Sequence, residues 1–199
     1  MKDLEIRGAG NLLGGEQSGH IEGVGFDLYV RLVGEAVAAY KGEAAAPPAE
    51  VKIELPVDAH LPHDYIPGER LRLEAYTKLA AAADEDRLAE VMEELTDRYG
   101  APPEPVLVLA EVARLRMTAR AAGVGELAAQ GKHVRFAPVE LTDSRQLRLQ
   151  RLYRGSLIKP AIRTVLVPAP VTAAVGGRPL RDREVLAWAG RFLTEILVD

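Results

Sequence analysis

The sequence predicts an α+β fold, and three observations predict it. Long stretches with apolar residues at helical spacing outnumber short alternating or β-branched stretches. The two kinds are interspersed without the regular strand–helix alternation of a parallel βαβ array. Proline or glycine marks most of the junctions between them. With 199 residues, 48% of them hydrophobic and 27% charged, the chain has the balance of a globular domain, with or without an appendage.

Leu4 to Arg7 alternates apolar and charged residues, as the end of a strand does. RGAGNLLGGEQSGH follows, and six glycines fall between Gly8 and Gly23. Leu28, Leu32, Ala36 and Ala39 then recur at helical spacing and predict a helix from Phe26 to Tyr40, with Gly42 near its end. GEAAAPPAE reads as a linker and places a domain boundary between residues 1–46 and 47–199. Val51 to Leu55 alternates with period two, a half-buried strand closed by Pro56.

ERLRLEAYTKLAAAA is helical in pattern. Asp84 is placed to cap the next helix, whose Leu88, Val91, Met92 and Leu95 form one stripe ending at Tyr99-Gly100. After Pro102-Pro103 a long helix is expected from Glu104 to Ala122, stopping at Gly123. Leu127 to Pro138 has room for two short strands around Gln130-Gly131-Lys132. Asp143 is expected to cap an arginine-bearing helix reaching Tyr153. Ile162 to Val167 reads as a strand, and Asp182 precedes a last helix with Trp188 and Phe192 as core anchors.

A net charge of −4 argues against nucleic-acid binding by overall charge alone. Cysteine is absent, which excludes disulfides and thiolate metal sites. No apolar run approaches the roughly 20 residues of a membrane-spanning helix, so a cytoplasmic location without membrane contact is expected. The glycine loop misses both phosphate motifs: Gly8 and Gly10 fit a dinucleotide fingerprint, but Leu13 holds its sixth place, and Gly14-Gly15-Glu16 lacks a P-loop lysine. Asp58, His60, His63 and Asp64 carry metal-ligand chemistry, yet Pro56 and Pro62 hold the segment extended, and a surface loop is the better reading. Arg145, Arg148, Arg151 and Arg154 stand three apart and make a basic stripe on a helix, with Leu147, Leu149 and Leu152 toward other faces. The stripe is either a solvated face or a contact for an acidic or phosphate partner. No nucleophile with its base is visible.

KDLEIRGAGNLLGGEQSGHIEGVGFDLYVRLVGEAV resembles the segment after the last helicase motif in the bacterial transcription-repair coupling factor family (Mfd). The related DNA translocase RecG has a similar Arg-Gly-x-Gly…Gly-x-x-Gln-Ser/Thr-Gly pattern. VKIELPVDAHLPHDYIPGERLRLEAYTKLA and EELTDRYGAPPEPVLVLAEVARLR resemble that family's C-terminal domain, strongly to about Arg120 and diffusely beyond.

The resemblance implies that residues 1–46 are a loop-plus-helix appendage from the end of a second RecA-like helicase domain. Arg7, Gly8, Gly10, Gly14, Gln17 and Gly19 would then belong to a translocation motif that couples ATP hydrolysis to movement along duplex DNA. It implies that residues 47–199 are a mixed α and β regulatory domain. That domain would pack on the N-terminal repair module of a longer protein and mask its surface for UvrA until stalled RNA polymerase is engaged. The arginine stripe is a candidate contact there. The chain has no P-loop and no DEAD-type acidic box, so it is expected not to be an enzyme on its own; ATP and Mg2+ would bind a motor portion outside it. It is accordingly expected to be a C-terminal fragment, with Met1 an internal methionine. Two other readings stand beside this one: a free-standing interaction domain of the same fold, and a metal-dependent hydrolase built on Asp58, His60, His63 and Asp64.

Overall fold

Val51, Ile53 and Leu55 turn inward while Lys52 and Glu54 face solvent, so the period-two pattern becomes strand β1 (Lys52–Glu54). A computed structural model describes residues 51–198 of the chain. The expected strand at Leu4, the glycine loop, the helix Phe26–Tyr40 and the linker all lie outside the described residues.

Three helices follow β1: α1 (Glu69–Ala81), α2 (Glu85–Tyr99) and α3 (Glu104–Ala121). Asp84 caps α2 as expected, its carboxylate accepting from the Arg87 amide at 2.9 Å. The helix ends at Gly100, whose φ of +86° only glycine adopts without strain. Lys78 on α1 donates to both carboxylate oxygens of Glu94 on α2, at 2.7 and 2.8 Å, and Arg98 reaches the same Glu94. Arg114 on α3 clasps Glu85 at the start of α2.

A hairpin then pairs β2 (Glu126–Gln130) with β3 (His133–Ala137), turning through Gly131 and Lys132 with Gly131 at a φ of +60°. The chain continues through α4 (Asp143–Leu152), β4 (Leu157–Lys159), a single 3₁₀ turn (Pro160–Ile162) and β5 (Thr164–Pro168). Helix α5 (Asp182–Phe192) runs into a π-helical turn, Leu193–Leu197. The five strands form one sheet in the order β1-β2-β3-β5-β4, with β1 parallel to β2 and every other pair antiparallel. The architecture is α+β, as the sequence predicts.

Two apolar clusters hold these elements. The larger lies between one face of the sheet (Ile53, Leu127, Phe136, Val165) and helices α3 to α5. The smaller lies among α1, α2 and α3, around Ile66, Leu79, Leu88 and Leu109. Helix α3 serves both: Val108, Val112 and Leu115 enter the first, Val106, Leu109 and Ala113 the second. A helix apolar on two sides in this way is an interior helix. Trp188 and Phe192 are core anchors as expected, packed with Phe136 and Tyr153.

Three local expectations are corrected. Thr142, not Asp143, is the N-cap of α4; its hydroxyl accepts from the Arg145 amide, and Asp143 opens the first turn, where a negative charge suits the helix dipole. Ile162 belongs to the 3₁₀ turn, which ends at Arg163 with a φ of +49°, and β5 begins only at Thr164. The strand β4 was not foreseen; three residues are too short for a periodicity to register.

Candidate functional site

Helix α4 carries the arginine stripe. Leu149 is fully buried beneath the helix, in the larger cluster, and fixes which side faces out. Leu147 lies two residues away, about 200° around the axis, so it cannot share that buried side. It is 74% exposed, and Leu152 is 46% exposed. Arg148 and Arg151 share the outward side with them, and Arg154 follows just past the helix end; all three are exposed. Arg145 is half-buried at the first turn. The structure therefore places Arg148 and Arg151 on the outward side of α4, with exposed Arg154 just past its end, and adds two exposed leucines to that side. The expectation that Leu147, Leu149 and Leu152 all turn away from the arginines holds for Leu149 alone and is corrected for the other two; at about 100° per residue Leu147 falls beside Arg151 and Leu152 beside Arg148.

The end of α4 is pinned from behind. The Tyr153 hydroxyl donates to Glu195 Oε2 at 2.6 Å, and its ring meets Phe192 and Trp188 edge-on. Burial, then the neighbouring Glu195 carboxylate, raise the Tyr153 phenol above the usual tyrosine range. Gln150 Nε2 donates to the Ser156 carbonyl and ties α4 to the start of β4.

The Asp58–His60 segment has a different use. His60 Nδ1 lies 2.7 Å from Asp58 Oδ1, and the Asp58 amide donates to Asp182 Oδ1 at 2.7 Å. The Asp182 amide in turn donates to the Pro56 carbonyl, so the corner joins the exit of β1 to the start of α5. Asp182, with a φ of +49°, is the first residue of α5 and sits in the left-handed region that aspartate tolerates better than most. His63 and Asp64 are exposed. Among the described residues no three His, Cys, Asp or Glu side chains gather as a metal site would require.

Among the described residues, no apolar cluster lies on the sheet face away from the helices. That face holds a shallow groove of about 430 Å³ lined by Glu54, Glu126, Arg135, Lys159 and Leu166 among others. Most of its charges are already paired, Arg135 with Glu126 and Lys52 with Glu54. Among the described residues no helix is long and apolar enough to cross a membrane. Arg7, Gly8, Gly10, Gly14, Gln17 and Gly19 lie outside the described residues.

Comparison with known proteins gives these features a family context. Residues 55–149 match the model of the TRCF domain. The transcription-repair-coupling factor of Mycobacterium bovis is 50% identical over 208 residues, covering 98% of this chain and 17% of that protein. That of Escherichia coli is 43% identical over 132 residues, covering 63% of this chain and 11% of the relative. The chain thus spans between about a ninth and a sixth of the length of these curated relatives. Among solved structures, the crystal structure of the C-terminal domain of a transcription-repair coupling factor aligns with a TM-score of 0.57, over 74% of this chain and 94% of that one. At 19% identity that match establishes a shared fold.

Proposed function

The chain belongs to the transcription-repair coupling factor family, and from that premise we propose that it serves as the C-terminal part of such a factor. Residues 1–46 end the motor and residues 47–199 form its regulatory domain. In this reading the whole protein is an ATP-dependent translocase on duplex DNA that displaces stalled RNA polymerase and recruits nucleotide excision repair through UvrA. ATP and Mg2+ bind motor portions outside this chain, and this portion has no catalytic residue of its own. The observation that carries the reading is the 50% identity running across 98% of the chain, which includes both the glycine loop and the domain behind it.

Within the loop, Arg7 and Gln17 have the chemistry for coupling. A guanidinium offers a rigid fork of donors that exchanges partners between nucleotide states, and a carboxamide both donates and accepts. The glycines around them let the backbone move and approach a neighbour closely. In the full-length protein, Arg7→Ala or Gln17→Ala is expected to keep ATP hydrolysis but lose displacement of a triplex-forming strand. Unchanged strand displacement in both variants would overturn the motif assignment.

The regulatory half of the reading places the domain against the N-terminal repair module, with Arg145, Arg148, Arg151 and Arg154 as the contact. Exposed arginines suit a clamp that must release, because a rim of charge gives specificity without a large apolar commitment. Charge reversal at Arg148 and Arg151 in the full-length protein is expected to raise basal ATPase activity and UvrA binding. If neither changes, the arginine face is not the clamp.

A further inference from the structure

The charge on this molecule is unevenly distributed. Between Asp143 and Asp182 the chain holds no acidic residue and eight basic ones, in a protein whose net charge is −4. On the other helices several arginines meet carboxylates: Arg87 pairs with Glu90, Arg98 with Glu94, and Arg114 with both Glu111 and Glu85. Those without an ion pair or side-chain hydrogen bond among the described residues, Arg70, Arg120 and Arg191, stand one to a helix. Helix α4 has no carboxylate after Asp143. Arg148, Arg151 and Arg154 make no ion pair or side-chain hydrogen bond among the described residues. Interleaved with them are Leu147 and Leu152, at 74% and 46% exposure.

We propose that this outward face of α4 is a docking surface for an acidic amphipathic helix of a protein partner. The partner's carboxylates meet Arg148, Arg151 and Arg154, and its apolar stripe covers Leu147 and Leu152. The combination of an aliphatic centre and a charged rim is that of a protein interface. Arginine is suited to it, since its planar fork takes carboxylates in a bidentate manner. A nucleic-acid phosphate would use the arginines but leave both leucines in water, and the outward face of α4 offers no aromatic ring on which a base could stack. A strand added at the adjacent sheet edge is disfavoured, because β4 has three residues and is closed by Lys159 and Pro160. Leu149 and Tyr153 hold the face rigid from beneath, so little ordering is required when the partner arrives.

The inference deepens the regulatory reading by naming the chemistry the arginines meet, and it is tested separately from it. The full chain is titrated into three fluorescent probes: a synthetic helical peptide with glutamates flanking a leucine stripe, a scrambled peptide of the same composition, and a duplex DNA oligonucleotide. Anisotropy is expected to show binding of the amphipathic peptide about tenfold tighter than of the scrambled one, weakening with salt. The double variant Arg148→Glu/Arg151→Glu is expected to abolish it, and Leu147→Ser to weaken it about fivefold or more. Arg87→Glu, an exposed arginine on another helix, is expected to leave it unchanged. All of these positions are exposed, so the variants keep the fold. Equal binding of the scrambled peptide, tighter binding of DNA, an unaffected Leu147→Ser, an equal loss in Arg87→Glu, or no binding by the amphipathic peptide each overturns the proposal. Peptide binding without any effect of charge reversal on the full-length protein would keep the docking surface and remove the repair module as its occupant.

Discussion

Tyr153 joins three parts of the molecule through one side chain. It follows the last residue of α4, its ring lies against Phe192 and Trp188, and its hydroxyl donates to Glu195 in the terminal π turn. Burial and the Glu195 carboxylate both oppose loss of the phenolic proton, so the folded-state pKa is raised. In the unfolded chain tyrosine ionises near pH 10. Above that pH the unfolded state releases a proton that the folded state retains, and stability falls with rising pH. The contribution is therefore fully present below about pH 10 and is lost as the pH climbs toward the folded value. Tyr153→Phe is expected to cost about 1 kcal/mol near neutrality, where it removes the hydrogen bond, and to flatten part of the loss above pH 10. Urea denaturation across the alkaline range checks this. A variant with the wild-type slope above pH 10 would show that Tyr153 is not the group responsible. Tyr65, raised mainly by burial, remains in the variant and keeps the flattening partial.

At the scale of an element, α4 divides its leucines by role. Leu149 is its fully buried anchor, so Leu149→Ala is expected to cost about 2–5 kcal/mol and to speed amide exchange along the helix. Leu147→Ala, two residues away on the exposed side, is expected to change stability by less than about 0.5 kcal/mol. Comparable losses in both would mean that α4 is seated differently on the core. The same helix shows where the sequence was legible. Its apolar and arginine spacings were readable because helical geometry is local, as were the Asp84 cap and the Gly100 and Gly123 stops. Which arginines lack a counter-charge was not readable, because partners come from elsewhere: Arg114 finds Glu85 across 29 residues, while Arg148 finds none among the described residues. The cap of α4 was displaced by one residue because Thr142 and Asp143 both have capping chemistry. Strand β4 owes its conformation to pairing with β5, which no short window contains. The Asp58–His60 pair, a metal candidate by composition, takes its structural role from Asp182, 124 residues away.

At the scale of the whole domain, the question is whether two apolar clusters make one cooperative unit. Helix α3 buries one side in each, and an element that cannot leave one core without abandoning the other couples their unfolding. The surface ion pairs between α1, α2 and α3 add little to this, since exposed pairs contribute at most about 1 kcal/mol each. Coupling therefore rests on packing. Leu88 is fully buried in the smaller cluster, and Trp188, the chain's only tryptophan, sits in the larger one. Leu88→Ala opens a cavity remote from Trp188 and is expected to cost about 2–5 kcal/mol. If the domain unfolds as one, Trp188 fluorescence and far-UV circular dichroism will shift to the same lower urea midpoint. If the helical cluster unfolds by itself, the fluorescence midpoint will stay at the wild-type value while the helical signal is lost early. The shared α3 favours the first outcome, because freeing its Leu109 side leaves Val108, Val112 and Leu115 on a helix with no second support.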